Sequence, residues 1–200
     1  MIVLSSSSPV RRQLLRQAGL RFKTAQHAFD EAQHKIARRR AGASAEQVAR
    51  ELAESKAGSL TERLPGAFVI GADQMLECDG VWFDKPADAA DARRQLLALR
   101  GKTHRLISAL AVTGDGKLLW SYAEGASLTM RNFSDLYLDL YLQALGPEAL
   151  QTVGAYHFEG LGAQLFNGYD CPLKRLIESL VGGGNRSSTR EKLCVAPRVG

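Results

Sequence analysis

The first ten residues restrict the fold more than any other stretch of this chain. Residues 1–4 form an apolar, partly β-branched run that halts at four consecutive serines followed by Pro9. Ser8 supplies a capping hydroxyl and proline is favoured at the first helical position, so the pattern predicts a strand running straight into a helix. Leu14, Leu15 and Ala18 share one face of that helix, and Gly19 sits where its C-terminal cap belongs. Helix and strand signals keep alternating downstream. Ser44-Ala45-Glu46-Gln47 is a capping box, after which Val48, Leu52 and Leu60 recur at helical spacing until Pro65-Gly66. Residues 67–75 read as a buried strand ending in the polar cluster Gly71-Ala72-Asp73-Gln74, and residues 81–83 as a short one. Asp88 caps a helix through Leu99 that Gly101 terminates, and residues 106–113 and 117–122 flank Gly114-Asp115-Gly116, which is hairpin chemistry. Residues 128–131 read as a further strand, Ser134 as the cap of a helix through Leu145, and residues 172–181 as a last helix. The expected class is α/β with a mixed sheet.

With 200 residues, 45% of them hydrophobic, the chain is long enough for one domain with its own core, expected over residues 1–181. Residues 182–200 carry no periodicity and are expected to be a disordered or divergent tail. The first apolar run is too short for a signal peptide or a membrane span, so the expected location is the cytoplasm, without a membrane partner. Three scattered cysteines, Cys78, Cys171 and Cys194, show no metal or disulfide spacing and read as reduced thiols. A net charge of +5 points to an anionic partner, but the tail holds four basic residues against the single acid Glu191. The remainder is nearly balanced. Basic residues do not gather beside aromatics, and the one dense run, Arg38-Arg39-Arg40, reads as a solvated segment, so no nucleic-acid partner is expected.

Chemistry concentrates in a few places. Ser6, Ser8, Arg11 and Arg12 surround the first strand-to-helix junction, where free N–H groups and the helix dipole favour an anion and arginine grips phosphate in a fork. A serine-capped surface helix explains the same residues. Asp73, read at the end of a buried strand, is placed to orient or deprotonate water or to hold a divalent cation, or else it caps a turn. Asp30 and Glu31 follow a stretch without periodicity and read as a loop that supplies carboxylates to magnesium. Lys85, just before Pro86, is placed to aim an ammonium at a phosphate, while Lys56 on the capped helix has a stem long enough to reach water. Glu159, among glycines and aromatics, is suited to accept hydrogen bonds from a base edge. His27, His34, His104 and His157 lack metal-ligand spacing.

Taken in order, Ser6-Ser7-Ser8-Pro9-Val10-Arg11, Asp30-Glu31, Glu54-Ser55-Lys56-Ala57, Gly71-Ala72-Asp73-Gln74, Lys85-Pro86 and the block Gly154 to Gly160 resemble the Maf family of nucleotide pyrophosphatases. The resemblance covers residues 1 to about 166. It implies an elongated Maf/ITPase-like mixed-sheet fold with two lobes around a cleft. It also implies a magnesium or manganese requirement and release of a nucleoside monophosphate and pyrophosphate from a nucleoside triphosphate. Asp73 matches the family's general base, Asp73 and Glu31 its metal side, and Lys85 a catalytic position. Ser6, Ser8, Arg11, Arg12 and Lys56 match substrate-binding positions, and Val10, Gln74 and Glu159 those associated with base choice. Gln74 and Glu159 together are closer to the branch acting on 7-methyl-GTP. After Phe166 the chain is shorter than the family pattern, with Asp170 the acid nearest a missing acidic loop. A homodimer is compatible with the resemblance, and a nucleotide-binding regulator of cell division with weak turnover is the alternative to an enzyme.

Overall fold

The computed structural model describes residues 1–157 and 160–167. Six strands form one sheet: β1 (Ile2–Ser5), β2 (Lys23–Ala25), β3 (Phe68–Cys78), β4 (Val81–Phe83), β5 (Thr103–Gly114) and β6 (Lys117–Thr129). Their order is β2-β1-β3-β5-β6, with β4 paired to β3. β1 is parallel to β2 and β3, whereas β3, β4, β5 and β6 pair antiparallel, so the sheet is mixed. Among the described residues five α-helices accompany it: α1 (Pro9–Gln17), α2 (Glu31–Arg40), α3 (Ala45–Thr61), α4 (Ala89–Leu99) and α5 (Asp135–Leu145). None is long and apolar enough to cross a membrane among the described residues.

Each face of the sheet has its own cover. Side chains alternate along a strand, so Val69 and Met75 of β3 face one side and Ile70, Ala72 and Leu76 the other. On the first side α3 packs Val48, Ala49, Leu52, Ala53 and Ala57 against Val3, Val69, Met75, Ile107 and Ala109. On the second side there are two apolar clusters. Leu14 and Leu15 of α1 pack against Leu4, Ile70, Ala72 and Leu110. Leu96 and Leu99 of α4, with Leu138 and Tyr141 of α5, pack against Leu76, Leu106 and Leu128. Between them, at the level of Gln74 and its register partner Ser108, the face is polar. That strip separates the two apolar clusters of the second side.

Local signals account for most of the elements. Ser8, Ser44, Asp88 and Ser134 each cap their helix through the side chain, and Ser44 with Gln47 completes the capping box. The β5–β6 hairpin turns at Asp115 and Gly116, both at positive φ as the tight turn requires. Three expectations are corrected. β3 does not end at the polar cluster but runs on to Cys78, since β5 pairs with it from Phe68 to Glu77 and stabilises residues that lack strand propensity. Residues 128–131 are not a separate strand: Leu128 and Thr129 close the long β6, whose pairing with β5 carries through Gly125. Asp30 and Glu31 are not in a loop: Asp30 caps α2 and Glu31 is its first residue. The predicted helix at 172–181 and the tail lie outside the described residues.

Gly71 marks the closest approach of helix and sheet. A Cβ there would lie 2.0 Å from the Ala53 carbonyl oxygen and 2.8 Å from the Ala57 nitrogen, both backbone atoms that cannot step aside. The neighbour at this glycine is α3. Gly71→Ala is therefore expected to lower stability by about 3 kcal/mol or more, read as a fall in the urea unfolding midpoint. An unchanged midpoint would mean that α3 does not lie on β3 as described.

Candidate active site

The site grows from a break in strand pairing. β5 occupies one edge of β3, so β1 and β4 share the other, pairing with residues 68–71 and 76–78 respectively. Among the described residues Ala72 to Met75 have no strand on that edge, and Asp73 lies within the break. Backbone groups there still need partners. Arg11, from the first turn of α1, donates Nη1 to the Ala72 carbonyl oxygen at 2.9 Å and to Ser6 Oγ at 3.3 Å. Ser6 Oγ also accepts from the Ser8 N–H, and Ser8 Oγ accepts from the Arg11 N–H as the helix cap. The serines thus hold the α1 N-terminus and its arginine against the open edge of β3.

Asp73 points to the α3 side, where Lys56 meets it. Lys56 Nζ lies 2.6 Å from Asp73 Oδ1 and 2.7 Å from Glu31 Oε2, and the Lys56 and Asp73 side chains are each only 5% exposed. The lysine stem does not reach water: it crosses the core of α3 to join two carboxylates from different elements. Ser5 Oγ donates to the Lys56 carbonyl oxygen at 2.7 Å and ties the end of β1 to the same turn of α3. Asp73 Oδ2 is buried and has no hydrogen-bond partner among the described residues.

Glu31 arrives on a helix that buries none of its residues. Polar contacts hold α2 in place instead. Arg38 forks onto Glu51 at 2.8 Å through Nε and Nη2, His34 joins the same carboxylate, and Lys35 pairs with Asp84 at 2.6 Å. Burial pushes the Glu31 carboxyl up, but Lys56, with His27 and Lys35, outweighs it and leaves the group below its ordinary value. Lys85 is exposed and follows Asp84. Partial desolvation and then Arg11 lower its ammonium from the ordinary value, while Glu31 and Asp73 act in the opposite sense. Desolvation also lowers the Arg11 guanidinium, opposed by Asp73 and Glu31, and an arginine stays charged regardless. Three cations and two carboxylates therefore share one field.

Ser6, Ser8, Arg11, Glu31, Lys56, Asp73 and Lys85 gather around the break in β3. Arg12 is half-buried on α1 and makes no side-chain hydrogen bond or ion pair with this group among the described residues. Val10 packs partly against the α1 cluster, and Gln74 lies on the opposite face of β3 from Asp73, bonded to Ser108. Glu159, Phe158 and Asp170 lie outside the described residues. Sequence reading missed Ser5 and Ser108, each a small polar residue inside an apolar strand, which was the available signal.

A family model described as Maf-like protein matches residues 1–173. The chain belongs to the Maf-like family. A "Nucleoside triphosphate pyrophosphatase" of Paramagnetospirillum magneticum is 54% identical over 165 residues, covering 82% of this chain and 84% of that protein. A "7-methyl-GTP pyrophosphatase" of Brucella abortus is 44% identical over 169 residues, covering 84% of this chain and 85% of that one. Among solved structures, a HAM1 protein from Coxiella burnetii overlaps 66% of this chain and 73% of its own, with a TM-score of 0.41 and 17% identity.

The balance at Glu31 makes a signed prediction. Its carboxyl should titrate below its ordinary value in the native protein and higher in Lys56→Met, where burial loses the largest of the charges that oppose it. A depressed carboxylate stabilises the fold above its unfolded pKa, and that contribution is lost as pH falls through the folded value. Carbon-detected NMR titration of Glu31 checks both. A pKa unmoved by Lys56→Met would contradict the ion pair.

Proposed function

We propose that this Maf-like protein hydrolyses the α–β phosphoanhydride of nucleoside triphosphates and releases a nucleoside monophosphate and pyrophosphate. The observation that carries the reading is the buried Lys56 ammonium holding Asp73 and Glu31 together at the break in β3, with Arg11 and Lys85 in the same field. The names of the two relatives support it. Excess positive charge beside the α1 N-terminus suits a polyphosphate, and a carboxylate with one oxygen uncommitted suits water activation.

In the proposed reaction Asp73 orients a water and takes its proton as the water oxygen bonds to the α phosphorus. The bond from that phosphorus to the bridging oxygen breaks, and pyrophosphate leaves with the oxygen. Arg11 and Lys85 stabilise the charge that develops on the leaving group, and Lys56 holds the two carboxylates in register. Ser6 and Ser8 hold Arg11 and the helix terminus toward the phosphates.

A divalent cation, magnesium or manganese, fits this donor set. The unpartnered Asp73 Oδ2 is a hard oxygen, Glu31 is a second, and magnesium is commonly held by one or two carboxylates together with water and substrate phosphates. No third protein ligand is required, in keeping with the absence of any three-residue His, Cys, Asp or Glu group among the described residues. When bound, the ion would supply neutralisation of phosphate charge. The Brucella relative and Gln74 support a guanine base, with 7-methyl-GTP a substrate to test.

Asp73→Asn should cut pyrophosphate release at least about a hundredfold while leaving the fold intact, and a chelator should do the same reversibly. Lys85→Ala should lower kcat by about a hundredfold, as loss of one charge-stabilising donor does. Both are read in a pyrophosphate-release assay over 7-methyl-GTP, GTP, UTP, dTTP and CTP with added metal. Absence of release from the whole panel by the unmodified protein would end the proposal.

A further inference from the structure

α2 carries Glu31 into the site, yet none of its residues is buried. Its flanks are fastened, since Phe29 just before the helix and Ala43 just after it pack partly against the α3 cluster. The helix between them needs another hold, and one acid supplies most of it. Glu51 of α3 accepts Arg38 Nε on Oε2 and Arg38 Nη2 on Oε1, both at 2.8 Å, and His34 Nε2 lies 2.9 Å from the same Oε2. A planar guanidinium held at two points fixes direction as well as distance. His34 and Arg38 are one turn apart, so the shared carboxylate sets both the height and the rotation of α2 on α3. The remaining contacts are with β4 and the residue after it: Arg39 lies over the Trp82 ring at 5.5 Å, and Lys35 pairs with the exposed Asp84.

The same contacts decide where Glu31 points. On an isolated helix a glutamate pairs with cations three and four residues further on, here His34 and Lys35, and glutamate before lysine is the favoured order. In the protein both are taken, His34 by Glu51 and Lys35 by Asp84, and Glu31 turns instead to Lys56 at 2.7 Å. We propose that Glu51 is a positioning residue for the site: it docks α2, draws off a helical neighbour of Glu31, and so delivers that carboxylate to Lys56 beside Asp73. The inference rests on the reading of Glu31 and Asp73 as the metal side of a nucleotide hydrolase. Glu51 makes no hydrogen bond or ion pair with Lys56 among the described residues, and its partners Arg38 and His34 both belong to α2. It acts on the site through that helix alone.

The test uses the full chain with manganese alone, reading the binding constant by electron paramagnetic resonance and the opening of α2 by hydrogen–deuterium exchange. In Glu51→Gln the α2 amides should exchange about fivefold faster and the manganese dissociation constant should rise about fivefold, as expected for loss of a two-point ion pair. Arg38→Met should do the same, and the double variant no more than either, since both break one contact. With Glu31→Gln already in place, Glu51→Gln should leave manganese binding unaltered, because α2 reaches the metal side only through that carboxylate. Unchanged α2 exchange or unchanged manganese binding in Glu51→Gln would overturn the inference, and so would a fivefold loss that persists in the Glu31→Gln background. An unmodified protein that binds no manganese would overturn it too. Glu51-dependent manganese binding in a protein that releases no pyrophosphate would end the proposed hydrolysis and leave the positioning role standing.

Discussion

Between Gly71 and Leu76 one edge of β3 has no strand beside it among the described residues, and the way that edge is filled organises the molecule. β1 stops at Ser5 and β4 begins to pair only at Leu76, so backbone groups that a continuous sheet would satisfy are left to side chains. Arg11 takes the place of a neighbouring strand at the Ala72 carbonyl. That substitution brings a cation and a helix N-terminus to the point where Asp73 emerges. The same break needs Gly71, because α3 must lie close enough to β3 for Lys56 to reach Asp73. Fold and site are one arrangement here: a continuous strand on this edge would shut out the arginine.

Lys56, Asp73 and Glu31 form a buried or half-buried ionic group inside an otherwise apolar layer. Such groups often contribute less to stability than well-packed hydrophobic residues would, because each charge loses water. Their retention here is explained by chemistry. Two carboxylates brought together would repel, and the ammonium between them offsets that repulsion. Glu31 reaches the group on a helix without a single buried residue, held by Glu51, Asp84 and Lys56. The Glu31 side of the group therefore depends on ion pairs more than on packing, and α2 is the element whose position salt should influence most.

Much of this was legible in the amino-acid sequence, because it is written in local chemistry. Ser8-Pro9, the Ser44 capping box, Asp88 and Ser134 start helices by hydrogen bonds within one turn, and Asp115-Gly116 turns a hairpin by backbone conformation alone. Asp73, Arg11 and Lys85 were singled out by residue type and by resemblance. What escaped has a common cause in long-range partners. β3 continues past Met75 to Cys78 because β5 pairs with it as far as Glu77, a partner the strand's own residues do not announce. α2 has no apolar stripe, so periodicity could not find it, and its stabilising carboxylates lie on α3 and beside Lys85. Lys56 was open to a solvated reading because a lysine in a helix carries no mark of the acid that will meet it from another strand.

The central claim is that a triphosphate and its metal sit at the break in β3, between Arg11 and the carboxylates joined by Lys56. A crystal structure with a nucleotide carrying a non-hydrolysable α–β linkage and manganese tests it most directly, since anomalous scattering locates the ion independently of the ligand. The account predicts manganese bound by Asp73 Oδ2 and Glu31, with the phosphate chain running past Arg11 and Lys85. Manganese and phosphates found together on another surface, with Asp73 still bound only to Lys56, would contradict it.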